Sequence, residues 1–146
     1  MTPQLLELIA VLACTLFTGA AIYITAVEHP ARLSCGTEIA AAQWVPSYKR
    51  ATVMQASLAV IAGLFGIMRG VQSGDALWIG AALLILAVVP FTLIVIRPTN
   101  SRLLEPQRDR RSVETLALLK SWGHLHAVRG LLGILASVLY AWAIID

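Results

Sequence analysis

Charged residues are scarce in this chain. Asp, Glu, Lys and Arg make up 13% of its 146 residues, whereas an ordinary globular domain contains about 25%. The hydrophobic fraction is 58% and the mean hydropathy is +0.78. These values exclude an ordinary soluble domain, and the length allows one domain, 1–146, with no soluble partner domain.

Cysteine is also nearly absent. Cys14 and Cys35 have no C-x-x-C spacing, so the sequence predicts neither a redox pair nor a zinc site. The net charge of +3 would indicate nucleic-acid binding if the basic residues formed a patch with interleaved aromatics. They flank apolar stretches instead, so no nucleic-acid partner is expected.

Long apolar stretches are what the chain has in abundance. A hydrocarbon core of about 30 Å requires about 20 apolar residues of helix. Four stretches approach that length: Leu5–Val27, Ala51–Val71, Ala76–Ile96 and Ala127–Ile145. The sequence therefore predicts an all-α, multi-pass protein of the plasma membrane, a four-transmembrane-helix bundle whose surroundings are membrane lipid.

The distribution of Lys and Arg predicts the orientation of the bundle. Most of these residues lie in the first and third gaps between the stretches, while the second gap is the short turn 72–75 and the chain ends in Asp146. Basic residues in short loops stay in the cytoplasm. We therefore expect both termini outside, and the two long loops in the cytoplasm. Ser112–Trp122 is predicted as an amphipathic helix before the fourth span, either at the interface or extending into the cytoplasm.

Polar residues concentrate at the predicted cytoplasmic end. Gln55 and Arg129 lie about one turn inside the apolar boundary, where an unpaired polar group is costly and is a functional candidate. Further candidates lie near the same end: Glu28, His29, Trp44, Tyr48, Asn100, Trp122 and His126. We expect these side chains to face a shared site.

Several of these residues have structural alternatives. Arg129 either extends to lipid phosphates, because it lies near a helix end, or forms a buried pair with Glu28. Trp44, Tyr48 and Trp122 could each anchor the helices in the aromatic belt of the interface.

A metal centre is a further alternative. It would require His29, His126 and Glu28, from different helices, to bind iron or copper. The main expectation is a site without a metal or another cofactor.

Two features concern the helix backbones. Pro90 removes a helical hydrogen bond, so we expect a kink there that opens space on the cytoplasmic side, with Thr92 close enough to assist. The pattern Gly66-x-x-x-Gly70 permits close helix contact, either between two copies in a homo-oligomer or within one bundle.

Four motifs together resemble the anthrone oxygenase-like family of small four-helix membrane proteins. They are Val27-Glu28-His29-Pro30-Ala31-Arg32-Leu33, Trp44-x-x-x-Tyr48, Pro90-Phe91-Thr92 with Pro98-Thr99-Asn100, and Trp122-x-x-Leu125-His126-x-x-Arg129. The resemblance covers essentially the whole chain. It implies the O2-dependent oxidation of an anthrone to an anthraquinone, through an enolate that reduces O2 without a metal or flavin.

The resemblance also implies roles for individual residues. His126 would be the base, with His29 as the alternative, and Arg129 would stabilise the oxyanion. Gln55 or Asn100 would donate hydrogen bonds. The remaining candidates would contact a hydrophobic aromatic substrate, with the rings stacking on it: Glu28, Trp44, Tyr48 and Trp122.

Other functions remain open at this point. The polar cluster could belong to a non-catalytic scaffold or a small-ligand-binding protein. A small drug exporter is disfavoured, because such proteins place a carboxylate deep in the first helix and Glu7 and Glu28 lie at its two ends. A cavity large enough for fused rings favours the enzyme, and tight packing favours the scaffold.

Overall fold

The computed structural model describes residues 1–145, so Asp146 lies outside the described residues. Four helices account for most of this range: α1 (Pro3–Ser34), α2 (Thr37–Ser73), α3 (Ala76–Leu103) and α4 (Val113–Ile145). Each is long and apolar enough to cross a membrane, and residues 1–145 contain no strand. The predicted fold class, an all-α four-helix membrane bundle, is confirmed.

Consecutive helices pack as neighbours, and α4 returns to contact α1, which closes the ring. The turn between α2 and α3 is tight because Gly74 adopts a φ of +71° and its N–H bonds to the Gly70 carbonyl. This left-handed conformation suits glycine. Asp75 then begins α3 by accepting a hydrogen bond from the Leu77 N–H at 2.8 Å. The helices α2 and α3 are therefore antiparallel neighbours.

The helices extend beyond the apolar stretches at one end of the bundle. The 37 residues of α2 span roughly 55 Å, against a hydrocarbon core of about 30 Å. We call this the basic end, comprising residues 28–50 and 97–126. Ser112 caps α4 there by accepting a hydrogen bond from the Thr115 N–H at 3.1 Å. Since α4 runs unbroken from Val113, the amphipathic segment extends the fourth span.

Two helices contain a π-helical segment, Ile24–Glu28 in α1 and Thr92–Ile96 in α3. Each ends two residues before a proline, Pro30 or Pro98. A proline ring clashes with the carbonyl four residues earlier, and the wider π turn relieves that clash. Pro90 itself lies within regular α-helix, which continues to Phe91. The regular α-helix gives way to the π-helical segment at Thr92, two residues after Pro90, and the kink at Pro90 stays a prediction.

Space does open beside this segment. A cavity of about 90 Å³ lies against Val88, Val89 and Thr92. The Thr92 hydroxyl donates to the Val88 carbonyl at 2.7 Å, and so adds a hydrogen bond where the regular helix ends.

Close packing of small residues fills the other end of the bundle. The Tyr140 hydroxyl donates to the Ala62 carbonyl at 2.8 Å, and a Cβ on Gly66 would lie 1.9 Å from that hydroxyl. A Cβ on Gly70 would lie 2.6 Å from the Ile79 side chain. Both glycines therefore serve contacts within one bundle, and a homo-oligomer stays a prediction.

Candidate functional site

A small cavity next to the basic end brings together four of the predicted polar residues, Tyr48, Gln55, His126 and Arg129. Its volume is about 10 Å³, which is room for about one water molecule. We call it the chamber; its lining includes Ile24, Tyr48, Gln55, Trp122, His126 and Arg129. Side chains of α1, α2 and α4 thus converge there, but the chamber cannot hold a fused-ring ligand in this conformation.

Arg129 carries a buried charge without a carboxylate partner among residues 1–145. Its side chain is 8% exposed, its Nη2 donates to Gln55 Oε1 at 2.8 Å, and its Nε has no hydrogen-bond partner. The guanidinium also lies 5.7 Å from the centre of the Phe17 ring. Both predictions for Arg129 are therefore wrong: it neither extends to lipid phosphates nor pairs with Glu28.

His126 is held between a ring and a hydroxyl. It is 2% exposed and stacks on Trp122 with ring centres 4.9 Å apart. Its Nδ1 lies 3.1 Å from Thr25 Oγ1. Within the described residues its Nε2 makes no hydrogen bond. If Nδ1 carries the proton and donates it to Thr25, the Nε2 lone pair is free to accept a proton.

The three aromatic candidates pack against one another. Trp44 stacks on Tyr48 with ring centres 4.7 Å apart and meets Trp122 edge to face at 5.7 Å. Trp44 and Trp122 are 0% and 5% exposed, so the prediction that they anchor the interface is wrong. Asn100 brings α3 to the cluster, because its Nδ2 donates to Tyr48 Oη at 3.2 Å. A flat ligand could stack on these rings only by displacing one of them.

His29 packs against α4 and is not part of the chamber lining. It is 6% exposed, and its Nε2 donates to the Leu119 carbonyl at 3.0 Å. Gly123 permits this approach, since a Cβ there would lie 2.7 Å from the His29 ring. His29 therefore does not line the chamber, but its ring centre lies 5.1 Å from that of Trp122, on which His126 also stacks.

Glu28 bonds within its own helix and to α2. Its Oε1 accepts hydrogen bonds from Arg32, from Ser47 Oγ at 2.8 Å and from Gln43 Nε2 at 3.0 Å. Across residues 1–145, no three His, Cys, Asp or Glu side chains form a group that could hold a metal ion. The iron or copper alternative at Glu28, His29 and His126 thus has no preformed ligand group.

Sequence reasoning missed Arg32. Its side chain is 5% exposed, bonds to Glu28 and Ser47, and lies 5.8 Å from the Trp122 ring centre. A repeated pattern could have found it: His29-Pro30-x-Arg32 corresponds to Arg97-Pro98-x-Asn100. The residue two positions after the proline is buried in both helices.

A comparison with protein-family models matches a range of the chain that includes most of these site residues. A family model described as anthrone oxygenase matches residues 44–139, which is more than half of the chain. The chain belongs to the anthrone oxygenase family. Searches of curated proteins and of solved structures gave no match. The matched range includes Trp44, Gln55, Asn100, His126 and Arg129, whereas Glu28, His29 and Arg32 precede it.

A larger groove adjoins the chamber of this anthrone oxygenase family member. It lies between α1 and α2 and has a volume of about 570 Å³, within the range of about 300–1,000 Å³ that is typical of ligand sites. We call it the lateral groove. It is lined by Ala20, Tyr23, Ile24, Glu28, Gln43, Pro46, Ser47, Arg50, Ala51 and Met54. Ile24, Ser47 and Ala51 line the chamber as well.

Proposed function

We propose that this protein is a membrane-embedded oxygenase. It oxidises a lipophilic anthrone, phenol or quinol with O2, without a metal or organic cofactor. The observation that carries the proposal is the buried guanidinium of Arg129, which no carboxylate of the described residues neutralises, beside the free Nε2 of His126. A buried cation without a partner is costly, and an anionic reaction intermediate would supply the missing charge.

The arrangement suits proton abstraction followed by electron transfer. His126 Nε2 takes a proton from the acidic methylene of an anthrone. Arg129 stabilises the resulting enolate oxygen, and the Gln55 amide, whose Nε2 has no partner, donates a second hydrogen bond. The electron-rich enolate then reduces O2. The methylene carbon loses two hydrogens and gains one oxygen atom, and the second oxygen atom leaves as water.

Family membership supports an oxygenase-like role, and the distribution of basic residues supports the orientation. We place the protein in the plasma membrane with the basic end in the cytoplasm. The chamber is built from one chain, so the proposal does not require an oligomer. O2, an aromatic substrate and surrounding lipid are its only necessary partners.

O2 uptake by the purified, detergent-solubilised protein with 1,8-dihydroxyanthrone tests the proposal. We expect wild-type protein to exceed the spontaneous rate, and His126→Ala to fall to that rate because the base is lost. His124→Ala is the matched control, since His124 lies two residues away and does not line the chamber. Activity should survive treatment with a chelator.

Two results would contradict the proposal in different ways. A wild-type rate equal to the spontaneous background removes the oxygenase. Activity that chelation abolishes and added metal restores replaces the cofactor-free mechanism with a metal-dependent one.

A non-catalytic scaffold is the second candidate function. The small volume of the chamber favours a scaffold. So does the mutual packing of the aromatic rings of Trp44, Tyr48 and Trp122. In a scaffold, the Arg129–Gln55 contact would hold α4 to α2. The effect of replacing Arg129 on stability separates the two functions, as argued below.

A further inference from the structure

We infer that the lateral groove binds the ring system of the substrate, and that Glu28 selects ligands with a phenolic hydroxyl. The ligand class is a flat, lipophilic, hydroxylated aromatic that enters from the lipid between α1 and α2. The inference rests on the proposed function, since it places the substrate of that reaction. It also explains where a fused-ring substrate could bind, because the chamber itself has no room for a ring.

The shape of the groove fits a flat apolar ligand. Ala20 on α1 and Ala51 on α2 are small, so the two helices leave a hollow between them, and Tyr23, Pro46 and Met54 provide larger apolar walls. The side chain of Tyr23 is 56% exposed, so its ring face is free to stack on a ligand. This differs from Trp44 and Trp122, whose faces are already in contact.

The groove lies where a lipophilic compound would meet the protein. Ala20 and Tyr23 belong to the apolar stretch Leu5–Val27, and Ala51 and Met54 begin the stretch Ala51–Val71. This part of the groove therefore lies at the depth of the acyl chains, between two neighbouring helices on the outside of the bundle. A compound dissolved in the bilayer can enter without crossing water.

The polar end of the groove presents a positioned acceptor. All three hydrogen bonds to the Glu28 carboxylate end on Oε1, from Arg32, Gln43 and Ser47. Within residues 1–145 its Oε2 accepts none. Three donors thus fix the carboxylate while one oxygen stays available, and a phenolic O–H is the group that would donate to it.

The groove and the chamber share one wall. Ile24, Ser47 and Ala51 line both, so a ring in the groove would contact side chains that also border the chamber of His126 and Arg129. Ile24 lies in the π-helical segment Ile24–Glu28, a type of segment that is frequent at functional sites. The reacting edge of the ligand would enter the chamber past Ile24.

Binding of 2,6-dihydroxyanthraquinone, a stable product analogue whose hydroxyls cannot bond to its own ring carbonyls, tests the inference without turnover. Equilibrium dialysis against protein in lipid nanodiscs, corrected for empty nanodiscs, gives the affinity. We expect Ala20→Phe, which fills the groove but does not line the chamber, to weaken binding about tenfold or more by excluding the ring. Ala42→Phe is the matched control, because Ala42 is exposed on α2 and lines neither space.

A second pair of measurements tests the role of Glu28. Glu28→Gln should weaken the binding of the dihydroxy compound about tenfold, because the complex loses a charge-assisted hydrogen bond. The affinity for unsubstituted anthraquinone should not change. Met54→Trp fills the groove from α2 and replaces Ala20→Phe if that variant does not elute as a monodisperse protein. Equal weakening of both compounds by Glu28→Gln would overturn the selection of phenols.

The outcomes separate this inference from the proposed function. If groove-filling variants bind like the wild type while His126→Ala loses turnover, the groove assignment is wrong and the oxygenase stands. If groove-filling variants lose binding while the wild type shows no turnover, the groove is a binding site and the oxygenase is wrong. Loss of binding in Ala42→Phe as well would overturn the groove assignment.

Discussion

Arg129 separates the two candidate functions because its charge is buried and poorly compensated. Replacement of buried ionic groups by apolar side chains of similar size is often neutral or stabilising. An arginine within a membrane helix costs up to about 2.5–3.5 kcal/mol on insertion scales, the value at the helix centre. We therefore expect Arg129→Met to keep or raise the unfolding temperature in detergent and to lose turnover. Thermal unfolding and O2 uptake on the same preparation measure both.

A control keeps the charge. Arg129→Lys retains a cation but cannot reproduce the geometry of the guanidinium, so turnover should fall while the unfolding temperature changes little. A marked drop in unfolding temperature for Arg129→Met would instead show that the contact with Gln55 holds the helices together, and would favour the scaffold.

The candidate residues were predictable, but their partners were not. Gln55 and Arg129 were singled out because polar groups inside an apolar stretch must face the interior, and His126 because it lies near the same end. All three are buried. The pair expected between Arg129 and Glu28 fails because Arg32, four residues after Glu28 on the same helix face, takes that carboxylate. The sequence contains this i, i+4 spacing, which favours a pair between Glu28 and Arg32 over one between Glu28 and Arg129.

The helices themselves were predicted by their apolar stretches, but their lengths were not. α2 begins at Thr37 instead of Ala51 and continues through Pro46. Hydropathy identifies only the part that crosses lipid, whereas the helix continues wherever neighbouring helices bury one of its faces. Ala40, Ala41 and Trp44 provide that buried face. The candidate site lies where these extensions meet the apolar stretches, since Tyr48 and His126 belong to the extensions and Gln55 and Arg129 to the stretches.

The closest helix contact predicts a stability difference between two glycines. A Cβ on Gly66 would lie 1.9 Å from Tyr140 Oη, while a Cβ on Gly19 would meet nothing within 4 Å. Gly66→Ala should therefore destabilise the protein by about 1–3 kcal/mol through overpacking. Gly19→Ala should stabilise it by up to about 1 kcal/mol, because alanine is the better helix former.

Thermal or denaturant unfolding in one detergent gives the comparison, with Gly19→Ala as the matched control for the added methyl group. Equal stability of the two variants would mean that Tyr140 moves aside without cost. The hydrogen bond from Tyr140 to the Ala62 carbonyl would then contribute little.

The whole molecule has two similar halves, α1–α2 and α3–α4. Each half has a π-helical segment, a proline two residues later and a tryptophan in the part of its second helix that lies at the basic end. The two tryptophans, Trp44 and Trp122, meet edge to face. Both halves run in the same direction, as in parallel repeats related by an axis along the membrane normal.

The halves differ where the chemistry is proposed. Four residues after each tryptophan stands Tyr48 in one half and His126 in the other. Three residues further on stand Ala51 and Arg129. The base and the cation thus lie on α4, while the small residues that open the lateral groove lie on α1 and α2. The asymmetry of these positions, more than the shared fold, gives the bundle one candidate site instead of two.

The orientation of the bundle decides which compartment the candidate site faces, and it predicts a labelling pattern. Cys35 is exposed at the basic end, Cys14 is buried inside α1, and Gln72 is exposed at the opposite end. Because the basic residues favour the cytoplasm, a membrane-impermeant maleimide should label Cys35 only in permeabilised cells. Gln72→Cys in a Cys35→Ser background should be labelled in intact cells.

Cys14 serves as the internal control, since Cys35→Ser alone should remain unlabelled under both conditions. The opposite pattern, with Cys35 labelled in intact cells, would show that the bundle has the inverse orientation in the membrane. The polar end of the lateral groove and the Glu28 carboxylate would then face outward. Entry through the lipid between α1 and α2 would still be available, because the apolar part of the groove lies at the depth of the acyl chains in either orientation.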